Sequence, residues 1–517
     1  MSGYRIPIMN PFIHSALCWY RALRFWAAPS PHSSLLTPHY ILAFLLVGTL
    51  PTSSADNAPR PLRPPNILFC IADDWSWPHA GAYGDRVVRT PNFDRVAREG
   101  ALFTRAFCAA PSCSPSRAAI LTGQAPHRLA EGGNLWGFLP KRFAVYPELL
   151  EAAGYAVGLH GKGWGPGNFK AGGRERNPAG PGFKSFEEFL KAVPAGKPFC
   201  FWFGSSDPHR TYEKGAGVRS GLKAADVRVP PWLPDTPEIR DDILDYYFEV
   251  ERFDRDVGRL LKLLEDAGRL ESTMVVVSSD NGMPFPRAKT NLHDSGSRMP
   301  LAVRWTGRVK AGQTIDAFAG LADLAPTFLE AAGLSIPPDM TGKSLVGPMT
   351  GKDDGRERTS VFIERERHAN VRAGDLGYPA RAVRTKDFLY IRNLRPERWP
   401  GGDPDMWKAV GPYGDCDASP SKEFVLAHRG EPDFAKFFAL TFEKRPAEEL
   451  YDLRTDPGQV KNVAGQPAYA TAQNELRAQL DAWMKQTQDP RAVGGGDEFD
   501  KYPYFGDAKR MPVSSGL

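Results

Sequence analysis

NILFCIADD, residues Asn66–Asp74, is the stretch on which the reading of the fold turns. An unbroken, mostly apolar run with no polar face suits a strand covered on both sides, and such strands belong to parallel sheets sandwiched by helices. The run stops at two adjacent carboxylates, Asp73 and Asp74. The same grammar repeats downstream. Thr90-Pro91 starts a helix with proline in its first turn, running through NFDRVAREG to a stop at Gly100. PELLEAAG (Pro147–Gly154) is a second such helix, and the strand YAVGLH follows it. FCFWFGS (Phe199–Ser205) is another buried strand, ending at Asp207-Pro208-His209. Apolar spacings of three and four through Ile243, Tyr247, Val250, Phe253, Val257, Leu260, Leu261 and Leu264 predict a long helix over Asp241–Gly268. The strand TMVVVSS (Thr273–Ser279) then delivers Asp280-Asn281-Gly282. Such alternation predicts an α/β fold, a largely parallel sheet with helices on both faces.

The flanks read differently. Residues 1–55 hold Arg5, Arg21 and Arg24, no Asp, Glu or Lys, and a short apolar run, Tyr40–Leu50 (YILAFLLVGTL). That run is too short for a membrane-spanning helix, which needs about 20 residues. With the small residues that end at Ala55 it predicts a signal peptide with an unusually long leader, hence an exported protein, periplasmic or extracellular, with no stable membrane span. Residues 56–65 are a Pro/Arg linker, residues 66–350 the main domain, and residues 351–517 a smaller C-terminal domain. In the latter, Ala382–Asn393 (AVRTKDFLYIRN) reads as sheet with a turn, residues 395–435 are rich in Pro, Gly and Asp, and an amphipathic helix is expected near 467–486.

Composition narrows the function. The 65 basic and 60 acidic residues leave +5, too little for a nucleic-acid footprint. Loss of residues 1–55 removes three Arg and lowers it to +2. The six cysteines (18, 70, 108, 113, 200, 416) form no CxxC pair and no Cys/His cluster, so a structural zinc site is not expected.

Ligands of open α/β sheets bind beyond the carboxyl ends of strands, so Asp73-Asp74, Asp207 and Asp280-Asn281 are expected to converge. Adjacent carboxylates repel unless a cation compensates them. Asp73, Asp74, Asp280 and Asn281 make a hard-oxygen set suited to Ca²⁺ or Mg²⁺. Between the first two clusters lies Cys113-Ser114-Pro115-Ser116-Arg117, leading into AAILTG (Ala118–Gly123). Pro115 and Ser116 suit the first turn of a helix to about Thr122, which puts residue 113 at an N-terminus that favours anions.

C-x-P-S-R followed by Leu-Thr-Gly resembles the signature of the type I sulfatases. The resemblance covers residues 66–485 and implies an alkaline-phosphatase-like large mixed sheet flanked by helices, with a smaller C-terminal α+β domain. It implies that a formylglycine-generating enzyme oxidises Cys113 to formylglycine, whose hydrate is the nucleophile on the sulfur of a sulfated saccharide. It implies a cation, Ca²⁺ with Mg²⁺ as alternative, held by Asp73, Asp74, Asp280, Asn281 and residue 113, with Arg117 supporting the diol. Lys162 and Lys289 match the sulfate-binding lysines, and His209 matches the histidine that protonates the leaving group. Cys18 would leave with the leader and Cys113 be converted; the remaining four cysteines permit a disulfide but require none.

The family usually carries a histidine two residues after the lysine of its G-K segment, where this chain has Trp164. That contact is missing or supplied elsewhere, for instance by His160 or His293. SDNGMPFP (Ser279–Pro286), DPHR (Asp207–Arg210) and PDTPEIRDDILDYY (Pro234–Tyr247) are most similar to the heparan N-sulfatase (sulfamidase) branch, and ELYDL (Glu449–Leu453) resembles the C-terminal sulfatase motif. Two rivals share these features: a phosphonate monoester hydrolase or phosphodiesterase on the same scaffold, and a protein that binds sulfated glycans without cleaving them.

Overall fold

Four parallel strands form the heart of the main sheet: β1 (Asn66–Ala72), β3 (Ala156–Gly161), β4 (Phe199–Gly204) and β5 (Thr273–Ser279), in the order β3-β4-β1-β5. The computed structural model describes residues 64–352, 358–407, 411–506 and 511–512; the expected leader, Cys18 and most of the linker lie outside them. β6 (Arg298–Arg304) runs antiparallel between β5 and β2 (Ala101–Phe107), and the short β7 (Gln313–Ile315) and β8 (Ala319–Gly320) add to β2 in parallel. The sheet is therefore mixed. Strand–helix alternation did not reveal β6, which follows β5 through a long loop with only one short helical turn (Asp294–Ser297).

Strands β1, β4 and β5 are buried along their whole length, as their continuous apolar runs require. Alternate residues feed two cores. Ile67, Phe69 and Ile71 face one side with Met274, Val276, Trp202, Ile120, Tyr146 and Phe328. Leu68, Cys70 and Ala72 face the other, against Val275, Phe201, Phe93 and the apolar stripe of the long helix. That helix spans Pro237–Asp266, four residues earlier than the periodicity indicates at its start. Proline needs no N–H at the first helical position, so Pro237 opens the helix before the apolar stripe begins. The helix Pro91–Arg98 starts where Thr90-Pro91 places it. Thr90 does not cap it; its hydroxyl accepts from Gly81 N–H and donates to Asp94.

A second, antiparallel sheet is ordered Glu448–Asp452, Phe388–Asn393, Ala380–Thr385, Ser360–Arg365. Helix Ala470–Gln486 covers one face, packing Leu476, Leu480 and Met484 on Val383, Tyr390 and Leu450. On the other, Ile363, Ala382, Leu389 and Ile391 pack against Phe107, Leu292 and Phe318 of the main-sheet region. This contact carries the loops after Arg365 and Gly411 to the carboxyl ends of the parallel strands. The five described cysteines are all free thiols. Among the described residues no helix is long and apolar enough to cross a membrane.

Candidate active site

Register sets the site. Ala72 pairs with Ser279, Ile71 with Gly204, and Gly204 with Gly161, so four strands end side by side. The residues that follow them are Asp73-Asp74, Asp280-Asn281, the Asp207–His209 loop and Lys162. Asp74 holds a left-handed backbone (φ 77°), and its N–H donates to Asp280 Oδ1 at 3.2 Å. A non-glycine residue in that region costs roughly 1–3 kcal/mol, strain characteristic of functional positions. At β4 the approach to Lys162 is so close that a Cβ on Gly204 would sit 1.7 Å from the Lys162 carbonyl oxygen. Gly204→Ala is therefore expected to cost about 2–3 kcal/mol in urea unfolding and to lower activity by displacing Lys162.

The element that carries Cys113 comes from elsewhere. Helix Cys113–Thr122 follows β2, and Cys113 is its first residue, 2% exposed. Ser112 occupies the N-cap position, but its hydroxyl pairs with His368 Nδ1 at 2.8 Å instead of capping the helix. The N-cap side chain leaves the first-turn N–H groups uncapped, the arrangement of a helix end that favours an anion. Ser116 Oγ donates to the Asp280 carbonyl and Ser114 Oγ to the Pro166 carbonyl, which tie this helix end to the strand ends.

Carboxylate oxygens of Asp73, Asp74 and Asp280 and the Cys113 sulfur lie within 4.8 Å of one another. Cys113 Sγ is 3.3 Å from Asp73 Oδ1, and Asn281 Nδ2 is 3.6 Å from Cys113 Sγ. Asn281 Oδ1 is buried with no hydrogen-bond partner. Arg117, fully buried, donates through Nε to Asp280 Oδ2 (2.7 Å) and through one terminal nitrogen to the carbonyls of Lys162 (2.7 Å) and Gly163 (2.9 Å). Lys162 Nζ pairs with Asp73 Oδ2; Lys289 Nζ bridges Asp74 Oδ2 (2.7 Å) and Asp417 Oδ2 (3.1 Å). Burial pushes Asp73 up, but Lys162 and Arg117 outweigh it and hold the carboxyl well below its usual range. Asp74 is pushed up to about 6 by burial and by facing Asp73 and Asp280, which Lys289 only partly offsets. Burial and Asp73 push the Cys113 thiol well above the usual thiol range.

Asp73, Cys113, Lys162 and Lys289 line an open cavity of about 690 Å³, and Asp74, Arg117, Asp280 and Asn281 contact these residues from behind. His209 stands at its edge, with Nδ1 against the Arg210 carbonyl (2.5 Å), which directs Nε2 toward Asp74 Oδ2, 3.8 Å away. Arg210 is pinned by a two-pronged pair to Asp242 of the long helix, both bonds 2.8 Å. Of the nine residues singled out in the sequence, five thus line one cavity and the other four are bonded to that cluster.

The rest of the cavity lining was not legible in sequence. It includes Trp136, His368, Asp417 and Tyr504. Trp164 is buried away from the cavity, its backbone N–H and carbonyl both bonded to the Asn177 amide at 2.9 Å. Neither histidine named as a substitute reaches the site. His160 bonds the Phe183 carbonyl (3.0 Å) and stacks on Phe203, while His293 is buried beside Arg287 (3.1 Å). Besides His209, the histidine that lines the cavity is His368, from the loop after Arg365. Burial lowers its imidazole to about 4 and so keeps it neutral at ordinary pH.

A second buried cluster, His127, Glu364 and Asp489, has a different character. Arg381 lies within it, 2.6 Å from Asp489 and 3.3 Å from Glu364, so a side-chain cation already balances its acids.

Residues 65–176 and 181–334 match the sulfatase family model, and residues 288–400 match the C-terminal model of N-sulphoglucosamine sulphohydrolase. The chain is 31% identical to human N-sulphoglucosamine sulphohydrolase over 83% of its length and 91% of that protein. The chain belongs to the sulfatase family.

An ulvan-active sulfatase from Formosa agariphila is 28% identical over 87% of this chain and 79% of its own length. Among solved structures, BT4656 in complex with its substrate D-glucosamine-2-N,6-O-disulfate superposes with a TM-score of 0.60 at 21% identity, covering 83% of this chain and 99% of that one. A phosphonate monoester hydrolase of Agrobacterium radiobacter has the same fold, with a TM-score of 0.56 at 18% identity over 83% of this chain and 97% of that one. Fold alone therefore does not separate sulfuryl from phosphoryl chemistry. The family match does, and it makes the chain a sulfuric ester hydrolase of the kind that works through formylglycine and a metal ion.

Proposed function

We propose that this sulfatase hydrolyses the sulfate ester or sulfamate of a glucosamine-type saccharide with the residues around Cys113. The observation that carries this reading is the meeting of the Cys113 helix end with Asp73, Asp74, Asp280 and Asn281. A buried thiol held protonated is a poor nucleophile toward an anionic ester, so residue 113 needs conversion to an oxygen nucleophile. At 2% exposure, Cys113 is reachable by a formylglycine-generating enzyme only before this segment folds.

The donor set suits a cation. Asp73, Asp74, Asp280, the orphaned Asn281 Oδ1 and residue 113 would hold Ca²⁺, the oxygen-rich shell that ion prefers. When bound, the ion supplies charge neutralisation at the transferring sulfuryl group and the aldehyde hydrate at residue 113 supplies the attacking oxygen. The chain's own residues do the rest. Lys162 and Lys289 point their ammonium groups at Asp73 and Asp74, and each is free to meet sulfuryl oxygens once another cation takes over its carboxylate. Arg117 keeps Asp280 and the Lys162 backbone in place. His209, with Nδ1 committed to the Arg210 carbonyl, presents Nε2 to hand a proton to the departing amine or alcohol. Export, periplasmic or extracellular, belongs to the same proposal: the short apolar run Tyr40–Leu50 and the small residues ending at Ala55 fit a signal peptide.

Assaying N-sulfoglucosamine, glucosamine 6-sulfate and a phosphonate monoester side by side tests this reading. Sulfate release from at least one sugar should exceed phosphonate hydrolysis by about 10²-fold or more in kcat/KM. Faster turnover of the phosphonate would contradict it.

A further inference from the structure

The cavity lining carries two aromatic rings that stability does not explain. Trp136 is only partly buried, and its backbone is left-handed (φ 59°). A bulky residue in that conformation is strained, and an indole left facing water forgoes the burial that makes it favourable elsewhere. The surroundings nonetheless hold it there from three directions. Leu135 N–H donates to the Arg367 carbonyl (3.1 Å), the Trp136 carbonyl accepts from Phe505 (2.8 Å), and the Gly137 carbonyl accepts from Asn168 (3.0 Å). The chain end that supplies Phe505 also brings Tyr504, whose ring centroid lies 6.3 Å from that of Trp136. The Arg367 guanidinium, 5.8 Å from the Tyr504 centroid, fixes that ring in turn. Both rings line the same cavity as Cys113, Lys162 and His209. Asp417 lines that cavity too, an acceptor held ionised because Lys289 outweighs its burial.

We propose that Trp136 and Tyr504 form a stacking platform for the pyranose ring of the substrate, with Asp417 accepting a ring hydroxyl or amino proton beside it. The C–H face of a pyranose is apolar and its rim is rich in hydroxyl donors, and a rigid aromatic wall with one carboxylate complements both. The sulfuryl group then reaches the strand-end residues while the ring rests on the two aromatic side chains that line the same cavity. The platform selects saccharides and contributes to binding, whereas the transfer step belongs to the strand-end groups. It rests on the reading that the substrate is a sulfated sugar.

The test compares wild type with Trp136→Ala, Tyr504→Ala and Trp136→Phe on whichever of N-sulfoglucosamine and glucosamine 6-sulfate the wild type cleaves. Inorganic sulfate serves as an inhibitor that fills only the reacting end. Loss of one stacking ring should raise KM about tenfold with kcat little changed. The inhibition constant for sulfate should stay within about twofold, and Trp136→Phe should recover most of the loss. KM unchanged in both alanine variants, or a sulfate inhibition constant that rises in step with KM, overturns the platform while leaving the sulfatase reading intact. A wild type that cleaves aryl sulfates and neither sugar overturns the saccharide reading, and the platform with it.

Discussion

Cys113→Ala is expected to abolish sulfate release, by roughly 10⁴-fold or more, with the fold intact. If residue 113 is the nucleophile, its removal leaves only the acceleration supplied by binding and charge stabilisation, because the neighbouring Ser112, Ser114 and Ser116 hydroxyls are engaged by His368 and by the Pro166 and Asp280 carbonyls. The substitution deletes one sulfur atom from a site tightly bounded by Asp73, Asp74 and Asn281, so unfolding free energy should change by no more than about 1 kcal/mol. Urea unfolding beside the activity assay separates the two effects. A variant that unfolds early would point to a structural role for the thiol, and a variant that keeps its activity would remove residue 113 from the chemistry.

Arg117→Ala has the second large effect, and here stability and activity should fall together. The guanidinium is fully buried and serves Asp280 and the carbonyls of Lys162 and Gly163 at once. Its loss leaves Asp280 facing Asp73 and Asp74 with less compensation, at a cost of about 3–5 kcal/mol for a broken buried pair. It also releases the backbone that aims Lys162, so kcat/KM should drop by about 10³-fold even at temperatures where the variant is folded. Arg117→Lys should rescue little of either, because a single ammonium lacks the planar fork that meets a carboxylate and two carbonyls together. Near-wild-type activity in the lysine variant would show that charge alone matters at this position.

Legibility in the sequence followed the range of the forces involved. Asp73, Asp74, Asp280 and Asn281 stand directly after strands whose apolar runs announce themselves, and parallel register lines up those strand ends without further information. Cys113 and Arg117 share one helix start, a local signal set by proline and serine. The rest of the cavity lining offers no such cue. His368 meets Ser112 across 256 residues of sequence, and Lys289 meets Asp417 across 128. Those loops reach the cavity only because the second sheet packs Ile363 and Leu389 on Phe107 and Phe318. Trp136 and Tyr504 sit in irregular segments without periodicity, so only the folded backbone reveals their proximity. The antiparallel β6 was hidden for a related reason: its apolar run reads the same whichever way it pairs.

Chemistry at residue 113 itself is the most direct test of a formylglycine sulfatase. Protein made with and without a coexpressed formylglycine-generating enzyme should be probed at residue 113 by peptide mass and by an aldehyde-selective label, with sulfate release from glucosamine sulfates measured on the same samples. The expected result is activity that rises in proportion to the aldehyde fraction and vanishes where residue 113 remains a thiol. Full sulfate release from protein whose Cys113 is entirely thiol would contradict it.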